Sequence, residues 1–226
     1  MSSYFILEPA CNTIETGSAY PQVQKMAPGY DYYALNSVHA LSRSGKKFPD
    51  FVPNLDHFVV NGKAKLTDLL SVATLHGGFL ISEKLKSVLE NFKLPPHKFY
   101  DAKVFYKKQF HSYYWMHIIC DLTDLVDYSN SVFFIYVNYA HNLGHVPVAS
   151  KIEYLQKKDK VKKDNPDKAV TIWAEKIKMT PEFDTKFDLF EIGAFDSNYY
   201  ISLSLKEAIE GEKISGCSIR PAKNIF

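Results

Sequence analysis

The sequence predicts an α+β fold, mostly antiparallel sheet, with two amphipathic helices in a weak internal duplication. Aromatic residues form 15% of the chain, and Tyr and Phe favour pleated, half-buried surfaces. Several short apolar runs lie between turn residues, as is typical of strands. The phrase ISEKLKSVLENFK at 81–93 returns as ISLSLKEAIEGEK at 201–213, an offset of 120 residues.

The N-terminal region, 1–55, is predicted to be an irregular wrap. It opens with a short strand, SYFIL at 3–7, and then carries frequent Pro and Gly residues that interrupt regular structure. One short helix is expected around 36–43.

The first half of the fold, 56–150, is predicted to be strand, helix and further strands. After a strand at 57–60 and an Asn61-Gly62 turn, the pattern at 64–72 fits either a strand or a short helix. Ser82 is a suitable N-cap for the helix that follows. Further strands are expected at 98–108, 113–120 and 131–139, with a possible fourth at 146–155.

A polar stretch, QKKDKVKKDNPDK at 156–168, separates the halves and is predicted to be a solvated hairpin loop. It holds six Lys, three Asp and one Pro. The second half, 169–226, is predicted to contain three strands, the second copy of the helix and a final short strand. The whole chain, 1–226, is expected to form a single compact unit.

The repeated phrase extends to residues 81–103 and 201–223, which share eight identities without gaps. The shared Ser is the helix cap, and a shared Leu faces inward. Each copy is therefore predicted to be a strand, a capped helix and a second strand. Two amphipathic helices that look alike through shared folding requirements are the alternative explanation. Under either explanation the shared residues specify folding and bring no catalytic group.

Composition excludes some classes of function. The formal net charge is only +2, which does not indicate a nucleic-acid surface. No apolar run is long enough to span a bilayer, and the first residues do not resemble a signal peptide. The cysteines, three in number, are far apart and fit reduced thiols. We therefore expect a cytoplasmic protein that binds neither nucleic acid nor membrane.

The search for catalytic and metal-binding patterns predicts no catalytic, cofactor or metal site. His141 and His145 have the spacing of helical metal ligands, but Gly144 and Pro147 make a helix unfavourable there. No phosphate-binding loop or nucleophile elbow is present in the sequence. A cysteine nucleophile would need Cys120 or Cys217 beside a histidine in space.

One acidic segment, DLTDLVDYSNS at 121–131, is a candidate contact surface. Its side chains could hold a cation, attract a cationic partner, or bond to the nearby backbone in a turn. The turn is the favoured interpretation, and partner binding remains open. The candidate partner-binding residues are Asp121, Asp124, Asp127, Ser129 and Ser131.

Several stretches together resemble a bacterial immunity family, the family numbered eleven among the immunity proteins of polymorphic toxin systems. They are FPDFV at 48–52, GGFLISEKLKSVLE at 77–90, HKFYDAKV at 97–104, YYWMHI at 113–118, DLVDYSNS at 124–131 and ISLSLKEAIEGEKISGCSIRP at 201–221. Ser215-Gly216-Cys217-Ser218-Ile219 fits the tail that ends such proteins.

The resemblance implies a cytoplasmic protein that binds and neutralises a cognate toxin domain encoded beside it, and it supplies no active-site residues. We therefore expect a non-enzymatic binding protein that occludes the toxin's active site. Two alternatives stay open. One is an enzyme of undetected, hydrolase-like type that uses Cys120, His117 and the carboxylates of 121–131. The other is a structural or adaptor module of a secretion system.

Overall fold

The computed structural model describes residues 4–138, 141–183 and 187–226. In these ranges it contains thirteen strands, four α-helices and two short 3-10 turns. The strands are β1 Tyr4–Pro9, β2 Val23–Met26, β3 Phe58–Val60, β4 Leu69–Leu70, β5 Gly78–Ile81, β6 His97–Tyr106, β7 Gln109–Ile118, β8 Val132–Val137, β9 His141–Val146, β10 Val170–Lys176, β11 Leu189–Gly193, β12 Asp196–Ser202 and β13 Cys217–Pro221. The helices are α1 Val38–Arg43, α2 Glu83–Leu89, α3 Lys151–Lys163 and α4 Leu203–Gly211.

The strands form three sheets, with the orders β2-β3-β6-β7-β5-β4, β11-β12-β1-β13 and β10-β8-β9. Neighbouring strands are antiparallel throughout, except that β3 and β6 are parallel. The predicted α+β class, mostly antiparallel with a few helices, is confirmed. None of the helices in the described ranges is long and apolar enough to cross a membrane.

The first and second sheets contain the same four-stranded arrangement, in which three of the four strands correspond at an offset of 120 residues. In the hairpin that precedes each helix, Leu69 lies opposite Ile81 and Leu189 lies opposite Ile201. The order β4-β5-β7-β6 in one sheet corresponds to β11-β12-β1-β13 in the other. The strands beside the two helices pair in the same register in both copies. A chance likeness of two amphipathic helices does not account for this, because it would not extend to the strands.

Strand β1 takes the position in the second sheet that β7 takes in the first. Phe99 lies opposite Met116 of β7, and Ile219, 120 positions later, lies opposite Leu7 of β1. Strand β7 follows β6 directly, whereas β1 comes from the other end of the chain. The second copy is therefore completed by the N-terminal strand.

The shared residues act as the sequence predicts. Ser82 and Ser202 cap α2 and α4, each accepting a hydrogen bond of 3.2 Å from the backbone N–H three residues later. The shared Lys lies over an aromatic ring in both copies: Lys86 over Tyr114 at 4.6 Å, and Lys206 over Phe5 at 5.3 Å.

Two aspartates, also 120 positions apart, join the copies reciprocally. Asp68 accepts hydrogen bonds from Ser82 of its own copy and from Ser215, which follows α4. Asp188 accepts from Ser202 of its own copy and from the backbone N–H of Lys93, which follows α2. Each aspartate thus links the cap of one helix to the chain beyond the other.

Two apolar cores lie on either side of the first sheet. The larger contains the inward faces of α2 and α4, the second sheet and the third sheet. Phe79 and Tyr199, equivalent residues of the two copies, meet there with ring centroids 4.4 Å apart. The smaller core lies beneath the N-terminal wrap and includes Val38, Phe58 and Trp115.

The predicted hairpin loop at 156–168 is wrong, as is a strand at 146–155. Residues 151–163 form helix α3 instead. Lysine is a good helix former, and Ser150 caps the helix by accepting a bond of 3.2 Å from the Glu153 N–H. The buried Tyr154 anchors α3, because its hydroxyl shares its one proton between the carbonyl oxygens of Ile172 and Ala194, at 3.1 and 3.2 Å. Three lysines in the last turn also stabilise α3, because their positive charges lie at the negative C-terminal end of the helix dipole.

Two further predictions concern the stretches 64–72 and 36–43. The undecided stretch at 64–72 contains the short strand β4, and the short helix expected around 36–43 is α1. The N-terminal wrap also contains β2, which the sequence pattern did not indicate.

Candidate functional site

The acidic segment 121–131 joins β7 to β8 through two 3-10 turns. Asp121 accepts hydrogen bonds from the backbone N–H and the hydroxyl of Thr123, at 3.0 and 2.5 Å. Asp127 accepts from the backbone N–H and the side-chain amide of Asn130, at 3.2 and 2.8 Å. The turn interpretation is confirmed, because both carboxylates organise the local backbone.

The other candidate residues differ in their access to solvent. The side chain of Asp124 is 80% exposed, and its carboxylate lies 2.8 Å from Nζ of Lys151 at the start of α3. Ser129 is exposed. Ser131 is buried, and its hydroxyl donates to the Asp127 carbonyl and accepts from the Lys178 N–H. The side chain of Ser131 therefore supports the turn.

Local contacts lower the pKa of two carboxylates in the segment, those of Asp121 and Asp127. Burial alone raises the pKa of Asp121, but the bonds from Thr123 and the charge of Lys46 outweigh burial and hold the pKa below its usual range. The side-chain amide of Asn130 is the main cause of the lowered pKa of Asp127. The segment thus carries two carboxylates that the turn stabilises as anions, and a third, that of Asp124, which is paired with Lys151.

The residues proposed for the enzyme alternative lie in different cores. Cys120 is buried in the larger core, where its thiol donates to the Glu191 carbonyl and burial raises its pKa. His117 is buried on the other side of the first sheet, edge-on to Phe48 at 5.5 Å. Burial lowers the pKa of His117. A raised thiol pKa is the opposite of what an activated cysteine nucleophile requires.

Metal-ligand geometry is not found in the part of the chain that the structure describes, where no three His, Cys, Asp or Glu residues are placed to hold one ion. His141 and His145 lie on the exposed edge strand β9, and neither is on a helix.

A cavity of about 400 Å³ lies between the first and second sheets, beside the tips of the hairpins that precede α2 and α4. Glu8, His76, Trp115, Glu191 and Tyr199 contribute to its wall. Burial raises the pKa of Tyr199, so its hydroxyl stays protonated at neutral pH. No cysteine or lysine is among the described residues of this wall; Ser197 also lines it, and no hydrogen bond between Ser197 and His76 is found in the described ranges.

The tip of the β6–β7 hairpin is an exposed feature that the sequence indicates only as a connection, KKQFHS at 107–112, that could close the two strands as a hairpin. The structure confirms the hairpin: Lys107 and Lys108 form its turn, and Phe110 beside them is 65% exposed. Lys-Lys is not one of the dipeptides that mark a tight hairpin turn, so the sequence did not single out this tip as a contact surface.

Polar and aromatic side chains are accessible on turns, whereas the Cys120 thiol and the His117 imidazole are buried on opposite sides of the first sheet; this arrangement is typical of a binding protein. The model of the immunity protein family Imm11 matches residues 15–224, so this chain belongs to that family. No curated protein matches the chain. The family gives the chain a toxin-neutralising immunity role, with a toxin as its binding partner.

Proposed function

We propose that this protein neutralises a cognate toxin domain, encoded by the adjacent gene of a polymorphic toxin system, by binding it directly in the cytoplasm and occluding its active site. The observation that carries the proposal is the extent of the family match, 15–224, which takes in the first copy, most of the N-terminal wrap, and the second copy apart from its strand β1. The immunity module is therefore nearly the whole fold. The buried positions of Cys120 and His117 support a mechanism without catalysis.

The acidic segment 121–131 is proposed as one contact with the toxin. Asp124 is the most available of its carboxylates, because its only side-chain partner in the described structure is Lys151. A cationic group of the toxin can replace Lys151 without disturbing the turn, which Asp121 and Asp127 hold. Such an exposed charge contributes more to the association rate than to the dissociation rate.

Co-expression of the protein with the toxin domain from the adjacent gene tests the proposal. Direct occlusion requires protection of the cells, a stable complex on gel filtration, and inhibition that titrates at one protein per toxin. An enzyme acting on the toxin or on its product would protect at far lower ratios. An adaptor would form a complex without inhibiting. Either result, or no complex, would overturn direct neutralisation.

Charge reversal at Asp124 tests the proposed contact. Asp124→Lys should weaken binding by about tenfold, mainly through a slower association rate that depends on salt. Asp159→Lys on the exposed side of α3 is the matched control, with the same change of charge outside the segment. Equal affinities for the two variants would remove 121–131 from the proposed interface.

A further inference from the structure

The turn of the β6–β7 hairpin has an unusual backbone for its residues. Lys107 and Lys108 have φ angles of 47° and 67°, both in the left-handed region. Hairpin turns with two such residues strongly prefer Asn-Gly, because Cβ crowds the backbone carbonyl in the left-handed region, which Gly avoids and Asn tolerates. Lysine therefore occupies two positions where folding alone favours other residues, and backbone strain of this kind points to a function of the side chains.

The tip is held rigidly. Residues of β6 and β7 lie opposite one another without a register shift from His97 and Ile118 to Tyr106 and Gln109. The Tyr106 hydroxyl donates a hydrogen bond of 2.8 Å to the Ala64 carbonyl, which fastens one face of the tip to the N-terminal half. A contact segment that is already ordered loses little conformational entropy on binding.

The opposite face of the tip is aromatic and open to solvent. Phe105 and Phe110 lie directly across the hairpin from each other, with ring centroids 5.1 Å apart. Phe110 is 65% exposed. An aromatic pair in this position supplies a large apolar contact area, and aromatic residues are enriched in the centres of protein interfaces.

The positive charge of the tip is not compensated. Lys107 lies over the ring of Tyr106 at 5.0 Å, and in the described ranges neither lysine of the turn has a carboxylate within ion-pair distance. The sequence has no acidic residue between Asp101 and Asp121. The tip is thus a cationic projection with an apolar side.

We propose that the hairpin tip, defined as residues 105–110, inserts into a cleft of the toxin domain that has carboxylates at its base and an apolar wall. The lysines meet the carboxylates, and the Phe105–Phe110 pair packs against the wall. This inference rests on the proposed function and adds the contacting surface and the chemistry of the partner's site. A toxin cleft that needs acidic side chains for its own reaction is blocked by such a projection.

The tip and the acidic segment 121–131 lie at opposite ends of β7. Eight strand residues, 111–118, lie between them and separate them by about 25 Å. Substitutions at the two places therefore act independently, and their effects on toxin binding can be measured one at a time.

The test measures binding of the purified full chain to the toxin domain of the adjacent gene by calorimetry at several salt concentrations. The variant Lys107→Gln with Lys108→Gln removes both charges and keeps the strained turn. Lys162→Gln with Lys163→Gln on the exposed end of α3 is the matched control. The tip variant should raise Kd by at least about tenfold and reduce the salt dependence, with the control within about twofold of wild type.

Two further variants separate binding from folding. Phe110→Ser should raise Kd and lower Tm by only about 2–4 °C, because the ring is 65% exposed and the folded state loses its contact with Phe105. Lys107→Asn with Lys108→Gly should raise Tm, because it suits the turn, and should still weaken binding. If the wild-type protein binds the toxin domain and the tip variant binds it with the same Kd, this inference alone is overturned. A wild-type protein that does not bind the toxin domain would overturn the proposed function and this inference with it. If the tip lysines bind nucleic acid instead, Lys107→Gln with Lys108→Gln would weaken binding of a single-stranded oligonucleotide and leave toxin binding unchanged. That result would also overturn this inference.

Discussion

Asp68 is expected to be the most important single polar residue for the joining of the two copies. Its carboxylate accepts from the Ser82 hydroxyl at 2.6 Å, and from the hydroxyl and N–H of Ser215 at 2.7 and 2.9 Å. Bonds to a charged group contribute about 1.5–3 kcal/mol each when buried, and these are part-buried. Because water can replace some of them, Asp68→Ala should lower the free energy of unfolding by about 3 kcal/mol.

Asp188→Ala is the internal control. Asp188 is the equivalent residue, but its bonds to Ser204 and Lys93 are exposed to solvent. Water compensates for exposed bonds more completely, so this variant should lose only about 1.5 kcal/mol. Denaturation in urea, followed by fluorescence of the buried Trp115, measures both variants at pH 7.

The pH dependence gives a second readout for Asp68. Burial alone raises the pKa of Asp68, but the bonds from Ser82 and Ser215 outweigh burial and hold it below its usual range. The stability that Asp68 contributes is therefore complete at neutral pH, begins to fall near pH ~4, and is lost as pH drops through the lowered folded-state pKa. The difference in free energy of unfolding between wild type and Asp68→Ala should become smaller in acid. A difference that does not change with pH would refute the reasoning, as would a larger loss of stability for Asp188→Ala than for Asp68→Ala.

Three further changes have expected outcomes that thermal or chemical denaturation can check. Replacing Lys107 with Asn and Lys108 with Gly should stabilise the fold by about 1 kcal/mol, because the new residues suit the left-handed turn; a loss of stability would contradict this. Gly216→Ala should cost at least about 3 kcal/mol, since Gly216 has φ of 81° and a Cβ there would lie 2.3 Å from the Leu69 carbonyl oxygen; a cost below about 1 kcal/mol would show that the chain relaxes there. Tyr154→Phe should cost about 1.5 kcal/mol, because the buried hydroxyl shares its proton between two carbonyl oxygens that the variant leaves without this donor; no change would mean that α3 is not anchored there.

Local signals account for the elements that the sequence predicted. The Ser caps of α2 and α4 and the spacing of their apolar residues depend on neighbours within one or two helical turns, so a short window contains the information. The apolar runs of β7 and β8 are equally local. The turn at 121–131 was predictable because Asp and Ser bond to backbone groups nearby.

Long-range pairing accounts for what the sequence did not reveal. Nothing in SYFIL shows that this strand enters a sheet between β12 and β13, some 200 residues away. The lysine-rich stretch was assigned to a loop because its apolar spacing is weak, yet one buried tyrosine and a capping serine suffice to place α3. The pairing of Asp124 with Lys151 likewise depends on α3 being a helix.

Hydrogen exchange of the free and toxin-bound protein tests the central claim most directly, because it reports which surface the partner covers. Binding by surface turns predicts slower exchange at 105–110 and 121–131 in the complex, and unchanged exchange around the cavity between the sheets. Protection confined to that cavity, or no protection with the adjacent-gene toxin domain in excess, would contradict the claim.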